Sequence, residues 1–327
     1  MLDVNAILAK AKASGASDAH FIPGIKPTIR VNRDLIELDE YEIISKEDIF
    51  EVYDYFLKGN VAKDEFFKEN KVLDTSAVFE DIRLRVNISY SGGLPVITAR
   101  LIRNELPTYE ELGVPDIVRR MTHQTQGLIL VTGKTNSGKS TTLNALINYI
   151  NENENKKILT LESPVEYKHK CKKSIIVQKE VGVGGDVPAY SIGTKNSLRE
   201  DCDILIIGEI RDRITMDAAI ETAESGHLVI GTLHTKSCAE TIDRMINFYE
   251  VRDQASIKYL LAALLKLVVS QRLLKGRDGK LVLIPEVMVV DNIVAGIIRK
   301  EKLSVSEIED AIQSKIGRAH VWTPVTN

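Results

Sequence analysis

The chain has 327 residues, enough for two domains with separate cores. It is 44% apolar and 27% charged, which excludes a disordered, collagen-like or disulfide-framework protein. A net charge of −3 supplies no overall attraction to nucleic acid or to an anionic membrane.

Residues 4–13 carry helical spacing that Gly15, Ser17 and Asp18 end. Short strands are predicted at 19–22, 27–32 and 35–38. Ser45 is a plausible N-cap for a helix running through Leu57, and a second helix covers 62–69. Strands at 81–89 and 94–102, joined by 90–93, complete a small α+β domain over 1–104. The segment 105–115, bracketed by Pro107 and Pro115, reads as a linker.

Beyond it strands and helices alternate, which predicts an α/β sheet with crossover helices over 116–315. The strands are 127–132, 158–161, 174–177, 204–207, 228–233 and 280–290, and the apolar run 259–269 reads as a core helix. Residues 316–327 hold Trp322, the only tryptophan, and show no periodicity. The familiar sequencing-adapter text reads in this frame as that peptide. The segment is therefore expected to be a non-native tail after about Lys315, with the natural C-terminus missing.

The strand 127–132 leads into Gly133, Lys134, Thr135, Asn136, Ser137, Gly138, Lys139 and Ser140, and Thr141 continues a helix. This is a complete phosphate-binding loop: its backbone N–H groups face phosphate at a helix N-terminus, where the dipole favours negative charge. Lys139 is expected to reach the β- and γ-phosphates and the Ser140 hydroxyl to ligate magnesium. Three other apolar strands end in chemistry: 158–161 in Glu162, 204–207 shortly before Glu209, and 228–233 in His234. Ligands of an open parallel sheet bind outside the carboxyl ends of its strands, so these residues are expected on one rim. There one carboxylate can orient the attacking water and another can hold hydrated magnesium, while a neutral histidine donates to a phosphate oxygen. Arg199 and Arg211 flank the Glu209 strand, and Arg83, Arg85, Arg100 and Arg103 lie on the last strands of the first domain. Any of these could neutralise phosphoryl charge.

Cys171, Cys202 and Cys238 are too widely spaced for a zinc framework, so no zinc is expected; Cys202 and Cys238 read as small buried residues. The basic run 168–173 reads as a solvated connection. No signal peptide and no membrane-length apolar run is present, so any membrane association is expected to be peripheral.

In combination these segments resemble the secretion-superfamily ATPases, and among them the PilT-type retraction ATPases of type IV pili. The resemblance rests on 15–20 (GASDAH), the Walker A at 133–140, and the LESPVE of 161–166 against an Asp box. It also rests on 198–201 with 208–212 as Walker B, on Gly226–His227 with 232–235 as His box, and on the SQRLL of 270–274. It implies a PAS-like N-terminal domain, a RecA-like ATPase domain and a cytoplasmic homohexamer using ATP and Mg2+ at an inner-membrane pilus platform protein. By the same resemblance Glu209 is the catalytic carboxylate, Glu162 assists, His227 and His234 sense phosphate, and Arg85 and Arg100 come from the N-terminal domain. Ser163 departs from the Asp-box aspartate, Asn136 from a Walker A glycine, and Cys202 from a proline. Residues 293–300 keep only a degraded form of the retraction motif. An assembly or secretion ATPase of a type II or conjugation-like system therefore stays open. A RecA-like nucleic-acid motor is disfavoured by the acidic balance, and a non-hydrolysing scaffold by the presence of Glu209.

Overall fold

The computed structural model describes residues 2–102, 106–276 and 281–316. Arg103 and the segment 317–327 lie outside them. The chain divides into two compact units. One comprises Met1–Glu105 with Pro164–Lys168 and Gly182–Pro188, the other Leu106–Ser163, His169–Val181 and Ala189–Asn327.

The first unit runs α1 (Val4–Ala13), β1 (Asp18–Phe21), β2 (Thr28–Val31), β3 (Asp34–Glu37), α2 (Lys46–Leu57), α3 (Val61–Asn70), β4 (Val72–Phe79), β5 (Ile82–Ser91) and β6 (Leu94–Ile102). Its sheet, ordered β3-β2-β1-β6-β5-β4, is antiparallel throughout. Ser45 caps α2 in a reciprocal box with Asp48, which satisfies two backbone donors that the first turn leaves free. The strand β4 is an element that the sequence did not reveal: its inward residues Leu73, Thr75, Ala77 and Phe79 alternate correctly, but two are small or polar.

The second unit runs α4 (Asp116–Met121), β7 (Gly127–Thr132), α5 (Lys139–Asn153), β8 (Lys157–Glu162), β9 (Ile175–Glu180), α6 (Tyr190–Ser197), β10 (Ile204–Ile207), α7 (Arg213–Glu224), β11 (Leu228–Leu233), α8 (Cys238–Ile246), α9 (Val251–Leu264), β12 (Leu265–Lys275), β13 (Leu281–Val289), α10 (Asn292–Ile298) and α11 (Val305–Ile316). Its sheet is ordered β13-β12-β7-β11-β10-β8-β9 and is parallel except for the edge strand β13, giving the α/β class expected. Every residue of β7, β10 and β11 is buried, which is why these strands read as unbroken apolar runs.

In this sheet one element differs from expectation. Residues 259–264 are helical, but Leu265–Val269 already belong to β12. No glycine or proline marks the change. It is decided by pairing with β7, where Val268 sits opposite Leu130 and Val269 opposite Val131. Cys202 and Cys238 are buried as expected, and Cys171 is exposed. Among the described residues no helix is long and apolar enough to cross a membrane.

Candidate nucleotide-hydrolysis site

Because β7, β8, β10 and β11 are parallel neighbours, their carboxyl ends share one rim, where Glu162 ends β8 and the phosphate loop, Glu209 and His234 follow the other three. The loop geometry depends on three residues in left-handed or related conformations. Gly133 has φ +146°, and a Cβ there would meet Ser137 Oγ at 2.4 Å and the Gln271 carbonyl at 2.5 Å, so no side chain fits. Asn136 has φ +62°, the left-handed region in which asparagine is the best tolerated residue after glycine. Gly138, at φ +89°, starts α5.

Lys139 is buried and folds back across its own loop, donating from Nζ to the carbonyls of Gly133 at 2.7 Å and Lys134 at 3.0 Å. Burial holds its pKa below the ordinary lysine value, against the opposing pull of Glu209. The Ser137 hydroxyl is buried with no hydrogen-bond partner among the described residues. Ser140 is exposed on the first turn of α5, and Thr141 beside it is partly exposed. A buried cation facing an acceptor-only carboxylate, an orphaned hydroxyl and a helix N-terminus fit a bound triphosphate.

Glu209 accepts from His234 Nε2 at 3.0 Å and pairs with Arg211 at 2.5 Å. Burial, then the charge of Lys139, depresses the His234 pKa, so its imidazole is neutral at physiological pH and donates to Glu209. Glu162 is buried, and its Oε1 accepts from the Thr160 hydroxyl at 2.6 Å and from Gln178 Nε2 at 3.1 Å. Gly208, just before Glu209, packs against the end of β8: a Cβ there would meet the Leu161 carbonyl at 2.9 Å and the Tyr190 hydroxyl at 3.2 Å.

Two neighbours of the site escaped the sequence reading. Burial, then the nearby charge of Glu209, raises the Tyr190 pKa well above its ordinary value and keeps its hydroxyl protonated as a donor. Its position beside Gly208 comes only from the packing of α6 onto the sheet, and no local pattern marks it. Gln271, on β12, places its carbonyl against Gly133 and donates from Nε2 to Thr142 Oγ1 at 2.7 Å. Its motif was seen, but the strand carrying it was not.

Other expected residues are placed elsewhere. His227 precedes β11 and His234 follows it, so the two lie at opposite ends of one strand, roughly 20 Å apart. Within this unit His227 does not meet the loop; its Nδ1 lies 3.0 Å from Ser225 Oγ. Arg199 is exposed beyond the far end of α6, on the side where β10 begins, whereas Arg211 is at the site. Arg85 and Arg100 belong to the first unit, are both exposed and face each other in register across β5 and β6; Arg100 also pairs with Asp18 at 2.9 Å.

Burial pushes the His169 pKa from 6.5 down to about 4. The unfolded chain therefore takes up a proton below 6.5 that the folded chain refuses until about 4. Stability from this group is complete above 6.5 and is lost as pH falls. Between pH 7.5 and 5 the loss is on the order of 2 kcal/mol. Urea midpoints of wild type and His169→Gln, compared at these two pH values, should differ more for wild type; parallel curves would refute the assignment.

A phosphate loop on a parallel sheet, with a carboxylate after the strand two places away, puts the second unit in the P-loop ATPase class. The chain belongs to the type II/IV secretion system protein family, whose model matches residues 80–279. It is 37% identical over 316 residues to the type IV pilus retraction ATPase PilT of Pseudomonas aeruginosa, covering 96% of this chain and 89% of that protein. A crystal structure of the pilus retraction motor PilT with bound ADP superposes with a TM-score of 0.89 at 34% identity, over 96% of this chain and 90% of that one. The Legionella pneumophila ATPase DotB gives 0.83 at 26% identity, over 96% and 87%.

Proposed function

We propose that this chain is a hexameric ATPase motor that drives type IV pilus retraction from the cytoplasmic base of the pilus machine. The observation that carries the hydrolytic part is Glu209, held between His234 and Arg211 on the rim that also bears Lys139. The assignment to retraction rests on similarity to PilT along nearly the whole chain.

The proposed roles rest on this geometry together with the phosphate-loop motif and the resemblance to the secretion ATPases. Backbone N–H groups of 133–141 and Lys139 would hold the phosphates, and the Ser140 hydroxyl would hold Mg2+. Bound magnesium neutralises charge on the β- and γ-phosphates. Glu209 orients the attacking water and draws off its proton, while neutral His234 keeps the carboxylate aimed. By resemblance Glu162 would assist at the magnesium, and Arg211, paired with Glu209, is the arginine at hand for developing charge. Arg85, Arg100, Arg199 and His227 would reach a nucleotide only through domain or subunit arrangement. We read residues 1–104 as a PAS-like domain and 116–315 as the RecA-like motor domain.

Membership of the type II/IV secretion system protein family and the Asp-box departure at Ser163 favour a second reading, a motor of a type II or conjugation-like secretion system. Expression in a Pseudomonas aeruginosa strain lacking its own retraction ATPase decides between them. Restored twitching supports retraction. ATP turnover by the purified chain without restored twitching supports the secretion reading.

A further inference from the structure

A continuous line of polar groups runs behind Ser140 and Glu162, entirely within the second unit. Asn144 lies one turn along α5 from Ser140 and is buried. Its Nδ2 donates to the Ser140 carbonyl at 2.9 Å, and its Oδ1 lies 2.8 Å from His169 Nε2. The His169 backbone N–H donates to Gln178 Oε1 at 2.9 Å, and Gln178 Nε2 donates to Glu162 at 3.1 Å.

The direction of every bond is forced. Asn144 has its amino group on a carbonyl, so it presents oxygen to His169, and Nε2 must carry the imidazole proton. Gln178 has its oxygen on an N–H, so its amino group faces the carboxylate. Turning Gln178 over would set like groups against each other at both ends, and turning Asn144 over would set its oxygen against the Ser140 carbonyl. A line with one orientation is a rigid strut. It joins the end of α5 that carries Ser140 to the carboxylate that ends β8.

The strut is not needed to hold the β8–β9 connection. Asn151 already does so, donating from Nδ2 to the Lys170 carbonyl at 2.8 Å and accepting from the Lys172 N–H on Oδ1 at 2.9 Å. Its own carbonyl also accepts from the Lys173 N–H at 2.9 Å. The imidazole of His169 is spare for that purpose and is spent on Asn144.

We propose that Asn144, His169 and Gln178 are positioning residues for hydrolysis, locking Ser140 and Glu162 into one rigid piece around the metal side of the triphosphate. This rests on the roles given to Ser140 and Glu162 in the proposed function. Groups behind a metal site that orient its ligands typically matter by 10–100-fold in activity.

The test is steady-state ATP turnover by the full chain. His169→Ala cuts the strut at α5, and Gln178→Met cuts it at Glu162 while keeping side-chain volume on the edge strand β9. Each should lower kcat about tenfold. KM for ATP should stay within about threefold, because Lys139 and the loop backbone are untouched. The double variant should be little slower than the worse single, since a strut cut once is already cut. His169→Gln, whose amide can still donate to Asn144, should recover most of the rate. Wild-type kcat in both single variants, losses that multiply in the double, or a rise in KM that His169→Gln does not reverse would each overturn the proposal. Glu162→Gln separates the two levels. If it turns over like wild type, the role of Glu162 fails and the strut with it. If it is slow while His169→Ala and Gln178→Met are fast, only the strut fails.

Discussion

Glu209→Gln should bind ATP as tightly as wild type or more tightly, and hydrolyse it roughly 10²–10⁴-fold more slowly. The amide keeps the shape of the side chain and removes its charge and its basicity. In the folded chain that charge faces Lys139, pairs with Arg211 and receives the His234 proton. Removing it takes one negative charge away from the place where phosphate binds, so ground-state affinity does not fall. What is lost is an acceptor for the proton of the attacking water, which matters only as the transition state forms. Phosphate release under saturating ATP, with a fluorescent nucleotide titration on the same preparation, measures both quantities. Equal turnover would remove Glu209 from the mechanism. A parallel loss of binding would mean that the substitution had disturbed the loop instead.

Lys139→Ala carries the other large effect, and it has two parts of opposite sign. Without nucleotide the variant should be at least as stable as wild type. Lys139 is buried, its cation is destabilised by desolvation, and its partners at 2.7 and 3.0 Å are carbonyls of its own loop. Relief of the desolvation of that ion offsets the two hydrogen bonds that are lost. With nucleotide the balance reverses. The cation that should leave those carbonyls for the phosphates is gone, and ATP affinity should fall by roughly 30–1000-fold, as when one partner of a buried charge pair is truncated. Thermal unfolding scans give both answers together. Wild type should gain several degrees on adding Mg·ATP and the variant almost none, because stabilisation follows the ratio of ligand to its dissociation constant. A normal ligand-induced gain in the variant would contradict the assignment.

Much of this site was legible before any fold was known, and the reason is local. Gly133, Gly138 and Lys139 are required by backbone angles and contacts that lie within a few residues of one another. The strands β7, β10 and β11 are buried on both faces, so their apolar runs have nowhere else to go, and the residues that follow them had to meet solvent at a rim. Asn136 as a left-handed substitute for glycine was also a matter of one residue's own φ.

What the sequence hid depends on partners distant in the chain. Leu265–Val269 carry an apolar pattern that suits a helix or a buried strand, and only the open slot beside β7 made them β12 and set Gln271 against Gly133. Tyr190 has no neighbours in sequence that mark it, and it reaches the carboxylates through the packing of α6. His227 and His234 looked alike in a motif, but the six residues of β11 between them put them at opposite ends of the sheet. Sequence alone thus pointed to a nucleoside triphosphate and to the strand ends proposed to handle it, because periodicity and backbone angle are short-range properties. The tertiary structure decided which residues share the rim, through strand order and side-chain packing, contacts that no stretch of neighbouring residues encodes.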